Sequence, residues 1–475
     1  MPPLTLATTH PTPALTSTPK LAARSWSITS SLLAIGMLTL VVKLVAFGKD
    51  LVVAHQFGTS DEMDAFLIAF LIPSLIPMVF AQSIPIALLP AYTQVRDSDG
   101  TEAANRLAVQ SIWLYGLGLL IVMVATYLAR DGIIAVLASK FSAEKKALTA
   151  NLFTHLLPFG FLYGLSFGLV TWLQAHKRFV LTSLTPALMP LCTLGFMLVA
   201  GPVLGVWSFV YGTTVGSALL LGILWWTAHR DGLRGFGRLG SLNPATLRVG
   251  RESLSLLAGG MLLCGLPVLD QVMAGWLAPG SVAVLSYSEK ICSVALSLIA
   301  GSVAQGLYPY FAEQVSRGDW AGLKSTTWRY SWLIIGGSVP LVLAFWWLAP
   351  WMVQHLFERG AFDLSDTERV ADVLRFHALQ IPFYVAAVLA SRVILALRVG
   401  SFLFYTSLMN LALNFVLNLL FMPSLGVAGL ALATAGVYLA SAVMLYSYLL
   451  VIVPRRIAAT QLNSALPACP LEFNP

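Results

Sequence analysis

Charge is what this sequence has least of. Charged side chains make up only 10% of the 475 residues, whereas hydrophobic side chains make up 57%. Soluble domains carry roughly 25% charged residues, which lets them cover their surface with polar groups. A chain with so few charges is therefore not an ordinary soluble protein. Apolar runs of about 20 residues recur along it instead, and they predict a polytopic α-helical membrane protein.

Cysteine is also scarce, and the four copies lack the paired spacing of a disulfide framework or a metal site. The seven histidines are scattered, and a P-loop, a Ser-centred hydrolase elbow and an HExxH motif are all missing. We therefore predict no catalytic residue, no metal and no cofactor. The net charge of +7 fits anchoring to an anionic leaflet, and no nucleic-acid module accompanies it.

Twelve membrane-spanning segments are predicted. The apolar segment 132–139 is too short to cross about 30 Å of hydrocarbon and is expected at the interface. Lys and Arg in the short loops favour cytoplasmic N- and C-termini, although Lys140, Lys145 and Lys146 run against this orientation. The predicted spans are 27–47, 64–92, 107–129, 152–175, 180–201, 205–228, 253–277, 281–311, 327–352, 374–397, 402–423 and 427–453.

The twelve spans divide into two related halves. Residues 156–189 can be laid on 379–413, which pairs Pro158 with Pro382 and brings two "TSL" triplets into register. Chance likeness between Leu-rich helices is the alternative. An even number of spans in each half makes the repeats parallel, around a central cavity. The predicted regions are a disordered cytoplasmic tail (1–25), an N-terminal half (26–228), a basic cytoplasmic linker (229–252), a C-terminal half (253–453) and a second cytoplasmic tail (454–475).

Several charged residues fall within these spans or at their ends. A charge facing lipid costs about 2.5–3.5 kcal/mol, so such residues are expected to face a cavity or a partner. Lysines from both halves would make a cationic wall suited to a diphosphate, while carboxylates would keep the site from trapping anions. Inter-helix ion pairs and snorkelling are the alternative. The candidate residues are Lys43, Lys49, Asp50, Asp64, Glu289 and Lys290.

A polar ladder lies in the eleventh span. Asn410, Asn414 and Asn418 are four residues apart and therefore share one helix face. Hydrogen bonding between helices is one explanation. The other is a cation site completed by Asp270, which would couple transport to Na⁺ or to the membrane potential.

Three stretches carry a resemblance to a known family. They are "SSLLAIGMLTLVVKLVAFGKDLVVAHQFGTSDEMDAFLIAFLIPSLIPMVFAQSIPIALLPAY" (30–92), "LQAHKRF" (173–179) and "LAPGSVAVLSYSEKI" (277–291). The chain resembles the MviN/MurJ family of lipid II flippases, within the multidrug/oligosaccharidyl-lipid/polysaccharide exporter superfamily, over nearly all twelve spans. The resemblance implies a transporter, not an enzyme. It would move an undecaprenyl-diphosphate-linked glycan across the bacterial inner membrane by alternating access, with membrane lipids and glycan-assembly enzymes as partners.

The sequence departs from the family pattern at its basic positions. Lys43, Lys49 and Lys290 stand where the family usually has Arg, and Pro77 and Met78 fill a stretch where it commonly has another Arg. An ammonium lacks the bidentate phosphate contacts of a guanidinium. Lipid II flippases also have two further helices after the twelfth span. A precursor of exopolysaccharide or capsule is therefore as compatible as lipid II.

Three other classes compete with a glycan flippase. A cation-coupled multidrug exporter of the same superfamily predicts a cavity dominated by acidic and aromatic groups. A membrane-embedded glycosyltransferase or ligase is disfavoured by the short external loops, which leave little room for a catalytic domain. A scaffold without transport activity stays open.

Overall fold

The computed structural model describes residues 28–233 and 243–465, and every regular element in these ranges is a helix. In chain order the helices are α1 (Ile28–Phe57), α2 (Asp61–Asp99), α3 (Thr101–Leu128), α4 (Arg130–Leu137), α5 (Ala143–Ala175), α6 (Phe179–Leu184), a 3₁₀ turn (Thr185–Ala187), α7 (Leu188–Leu204), α8 (Trp207–Arg230), α9 (Pro244–Ala274), α10 (Ser281–Ser316), α11 (Trp320–Phe357), α12 (Leu364–Ala378), α13 (Gln380–Ala396), α14 (Ser401–Leu425) and α15 (Val427–Ala465).

Ten spans in the described ranges are long and apolar enough to cross a membrane. Helix α9 adds an eleventh when its two parts, Pro244–Met261 and Cys264–Ala274, are counted as one span with a bend of 41°. Helix α1 covers residues 28–47 of the remaining predicted span, 27–47. The prediction of an all-α membrane protein with about twelve spans is confirmed.

Some helices extend beyond the predicted spans. Helix α9 begins at Pro244, inside the stretch predicted as linker, because Asn243 caps it and proline suits the first helical position. Helix α15 reaches Ala465, inside the predicted second tail. The predicted first tail, the remainder of the second and linker residues 234–242 lie outside the described residues.

The helices pack into two bundles. In the N-terminal half, α2 packs against α3 and α5, and α8 packs against α5 and α7. In the C-terminal half, α10 packs against α13, and α15 packs against α13 and α14. Helix α9 belongs to the second half by sequence but packs on α2 and α3 as well as on α14. It is therefore a joint between the halves.

Turn geometry repeats between the halves. Lys177 after α5 and Arg398 after α13 both have positive φ, 60° and 59°. Gly205 ends α7 with φ 53° and ψ −132°, and Gly426 ends α14 with φ 56° and ψ −130°. Lys177 and Arg398 lie as far apart in the sequence as Gly205 and Gly426 do. Because positive φ is uncommon outside glycine, these matched turns support the parallel repeat.

Polar contacts join the halves at one end of the bundle. The Thr59 hydroxyl, in the α1–α2 turn, donates to the Asp366 carboxylate of α12. The Tyr287 hydroxyl of α10 donates to the Gly58 carbonyl oxygen at 3.0 Å. This end is the one that the positive-inside pattern predicts to be external.

Candidate functional site

Asp50 is the meeting point of charges from both halves. Helix α1 supplies Lys49 and Asp50, and α10 supplies Lys290. The Lys49 and Lys290 Nζ atoms lie 2.8 Å and 3.0 Å from the same oxygen, Asp50 Oδ1. Asp50 is only 8% exposed, and burying its charge is tolerated because two ammonium groups pair with it. The three side chains together keep one positive charge in excess.

These two lysines line a cavity between the halves, here called the inter-half cavity. It has a volume of about 340 Å³, and α1, α2, α7, α8, α9 and α10 form its wall. Glu289 also lines it, and Lys49 Nζ lies 5.1 Å from the ring centroid of Phe209. Hydroxyl and amide groups complete the polar lining: Ser74, Thr193, Thr213, Gln271, Ser286 and Ser293.

A second cavity, here called the C-half cavity, adjoins the first. It measures about 280 Å³ and shares Glu289 and Ser293 with the inter-half cavity. Lys43 of α1 reaches its wall. The other polar lining residues are Asp270, Ser297, His377, Gln380, Tyr384, Thr434 and Tyr438. The lining of this cavity includes acidic and aromatic side chains. It also includes Lys43, one of the basic residues that the sequence analysis proposed for substrate binding.

Asp270 lies in a hydrogen-bonded cluster at the wall of the C-half cavity. Asn418 Nδ2 donates to Asp270 Oδ1 at 2.7 Å and to Asn414 Oδ1 at 3.1 Å. Thr434 Oγ1 donates to Asp270 Oδ2 at 2.9 Å. Within the described part of the chain, Asn418 Oδ1 is buried and has no hydrogen-bond partner. The cluster therefore keeps one amide oxygen available beside a buried carboxylate.

Asp64 lies outside the lining of both cavities. It is 1% exposed, and it caps the start of α10 through the Gly280 and Ala283 amides, which donate to it at 2.7 Å and 2.9 Å. Lys145 Nζ of α5 donates to the same carboxylate at 2.8 Å. Asp64 thus ties three helices together at the predicted external end, and its contacts are those of a structural residue.

Sequence reasoning missed part of the site. Asn410 donates to Ser441 at 3.3 Å and does not join the Asp270 cluster, although it lies on the same face as the other two asparagines. Thr434 and His377 reach the C-half cavity from α15 and α12. A lone threonine or histidine in an apolar span carries no spacing signal, so only the packing of the helices reveals them.

The site offers charge and hydrogen bonds rather than a reactive group. Within residues 28–233 and 243–465, no set of three or more His, Cys, Asp or Glu side chains could hold a metal ion. Three cysteines, Cys192, Cys264 and Cys292, are free thiols. The arrangement fits binding of an anionic group by ammonium ions and of hydroxylated groups by the polar lining.

Comparison with known proteins places the chain in a family. The family model for "Lipid II flippase MurJ" matches residues 53–468. A probable lipid II flippase MurJ from Rhizobium tropici is 23% identical over 438 residues, which are 88% of this chain and 80% of that protein. A probable lipid II flippase MurJ from Synechocystis sp. is 26% identical over 425 residues, 86% of this chain and 78% of that protein.

Solved structures show the same fold. A lipid II flippase MurJ in an inward closed conformation superposes with a TM-score of 0.75 at 19% identity, covering 91% of this chain and 90% of that one. An inward-facing multidrug resistance MATE family transporter of the MOP superfamily gives a TM-score of 0.72 at 15% identity, covering 91% and 99%. The chain belongs to the MurJ family of lipid II flippases, multi-pass membrane transporters that are not enzymes.

Proposed function

We propose that this protein flips an undecaprenyl-diphosphate-linked glycan precursor across the bacterial inner membrane. The observation that carries the proposal is the convergence of Lys49 and Lys290, from opposite halves, on one buried oxygen of Asp50 beside the inter-half cavity. A diphosphate carries more negative charge than one carboxylate, so it can draw both ammonium groups toward itself. A ligand held by both halves would couple its binding to their relative movement.

Lipid II is the substrate to test first, because the matched family model and the relatives above carry its name. An exopolysaccharide or capsule precursor is the alternative within the same chemistry. It is favoured by ammonium rather than guanidinium groups at Lys43, Lys49 and Lys290, since point charges do not require one phosphate geometry. Glycan-assembly enzymes are the protein partners we infer for either substrate, and co-purification would test them.

Transport is proposed to proceed by alternating access, with both termini in the cytoplasm. The contacts of Thr59 with Asp366, and of Asp64 with the start of α10, hold the halves together at the predicted external end. Opening toward that side requires these contacts to break, while contacts at the other end form. A head group bound between the halves would then be carried past the barrier as its lipid tail stays in the bilayer.

The Asp270 cluster is our proposed site of coupling to Na⁺. A carboxylate and neutral oxygens are the ligands that a hard cation prefers. Asp270, Asn418 Oδ1 and Thr434 Oγ1 bring these groups together in a buried position. Membrane potential alone is the alternative driving force.

A multidrug exporter is the second candidate function, and the acidic and aromatic lining of the C-half cavity favours it. A measurement of drug susceptibility distinguishes a multidrug exporter from a glycan flippase. A strain without its own exporters, expressing this protein, should stay sensitive to lipophilic cations if the protein is a glycan flippase. Raised resistance that disappears in a Glu289→Gln variant would favour the exporter.

A reconstituted flipping assay tests the diphosphate site. Lys290→Gln or Lys43→Gln should lower lipid II flipping in proteoliposomes by about tenfold or more, as expected when a charge-assisted contact is lost. The matched control is Lys146→Gln, because Lys146 is bound to the Ser139 carbonyl oxygen away from both cavities. Full activity in both cavity variants would contradict a head-group role for these lysines.

A further inference from the structure

A groove away from both cavities lies where α2 and α3 of the first half meet α9 of the second. It is here called the α3–α9 groove and has a volume of about 520 Å³. It shares no lining residue with the inter-half cavity. Its apolar lining includes Phe80, Ile84, Leu114, Ile121, Leu254 and Leu257. Ile121 is 59% and Leu254 is 69% exposed, so hydrocarbon chains of the bilayer have direct access to it.

One basic side chain lines the groove. Arg251 lines the groove near the start of α9, and among the described residues no ion pair involves it. Arg248, three positions earlier on α9, is instead paired with Glu252 at 3.1 Å. Arg251 is therefore a positive charge available to a ligand, at the end of the span where the positive-inside pattern predicts the cytoplasmic surface.

A buried hydroxyl lies in the wall of the same groove. Ser111 of α3 is only 4% exposed, yet its Oγ has no hydrogen-bond partner in the described part of the chain. A buried hydroxyl without a partner costs about 1–3 kcal/mol. A ligand that brings an acceptor oxygen into the groove would remove this cost.

We propose that the α3–α9 groove binds one anionic phospholipid of the membrane. Its phosphate pairs with Arg251, an ester carbonyl oxygen accepts from Ser111, and an acyl chain lies along α3 and α9. The complementarity is threefold: a cation, a buried hydroxyl donor and an apolar trough line the same groove. Anionic lipids are also the species that collect where Arg and Lys flank the membrane.

The bound lipid would contact both halves of the protein. Helices α3 and α9 approach each other closely in the groove wall, since a Cβ on Gly250 would lie 2.7 Å from Leu114 Cδ2. Thr246 of α9 also donates to Gln110 of α3 at 2.9 Å. A lipid that fills the adjoining space stabilises the arrangement in which α9 lies against α3, so it would bias the conformational equilibrium of a transporter.

Native mass spectrometry of the full chain in detergent, titrated with phosphatidylglycerol or phosphatidylethanolamine, tests the proposal. Wild type should retain phosphatidylglycerol in preference. Arg251→Gln should weaken that retention by about fivefold, the effect of one basic residue near an anionic lipid, and leave phosphatidylethanolamine unchanged. Arg251→Lys should keep the preference. Arg248→Gln is the matched control and should behave as wild type.

A second variant tests the trough rather than the charge. Gly118 lines the groove, and a Cβ there meets nothing within 4 Å, so Gly118→Phe fills the space and should lower retention of both lipids. The proposal is overturned if Arg251→Gln retains phosphatidylglycerol as wild type does, if Arg248→Gln loses as much, or if Gly118→Phe changes nothing. These measurements report binding alone, so their failure would leave the proposed flippase function standing.

Discussion

At the residue scale, the asparagine ladder offers a matched test of the cation hypothesis. Asn414→Leu should abolish any stimulation of flipping by Na⁺. Asn414 accepts a hydrogen bond from the side-chain amide of Asn418, and the same amide donates to Asp270. Asn410→Leu should keep the stimulation, since Asn410 bonds Ser441 instead. The measurement is flipping in proteoliposomes with Na⁺ or K⁺ outside. Transport that is equal in both salts, and unaffected by Asn414→Leu, would count against Na⁺.

The intramembrane charges were the part of the site most readable from sequence. The cost of exposing a charge to lipid predicts that Lys49, Asp50 and Lys290 face inward, and the structure brings them together. The partner of Asp64 was not predictable. Lys145 runs against the positive-inside orientation, and its contact with Asp64 gives a physical reason for a lysine at that end.

At the element scale, Asp64 tests how the start of α10 is held. Asp64→Asn keeps the side-chain shape but loses the ion pair with Lys145 and weakens the cap on α10. It should destabilise the protein by about 1–3 kcal/mol, the cost of weakening buried charge-assisted hydrogen bonds. Thermal unfolding in detergent measures the change.

Asp61 supplies the control for that prediction. Asp61 also pairs with Lys145, but its side chain is 61% exposed, and exposed ion pairs contribute about 0–1 kcal/mol. Asp61→Asn should therefore shift the unfolding midpoint much less than Asp64→Asn. Equal shifts in the two variants would show that Asp64 does not anchor α10.

Spans of apolar sequence were predictable because crossing hydrocarbon demands a minimum length. The residues at which helices begin and end were less predictable. The tenth predicted span begins at 374, yet α12 starts at Leu364, because Asp363 caps the helix there and its first turns are polar. Helix α9 likewise extends into a stretch that looked like linker. Amphipathic or charged helix ends carry no hydropathy signal, so sequence reasoning places them in loops.

At the scale of the whole molecule, transport by alternating access requires the external end to open. A disulfide between Thr59→Cys and Asp366→Cys, whose side chains are in contact across the halves, should stop flipping when oxidised and release it when reduced. The other cysteines are replaced first. The pair Ile112→Cys and Gly168→Cys is the control, because both positions lie within the N-terminal half and a Cβ on Gly168 would lie 3.7 Å from Ile112 Cβ, within disulfide range. Unchanged flipping in the oxidised first pair would contradict the required opening.

The central claim is that this chain moves a diphosphate-linked glycan, lipid II first, through the cavity lined by Lys49 and Lys290. The most direct measurement is the lipid II accessible on the outer face of bacteria depleted of their own flippase. Expression of this protein should restore exposure and growth, whereas Lys290→Gln, at equal membrane level, should not. Failure of the correctly inserted wild type would contradict lipid II as substrate, and restoration by Lys290→Gln would contradict the cavity site.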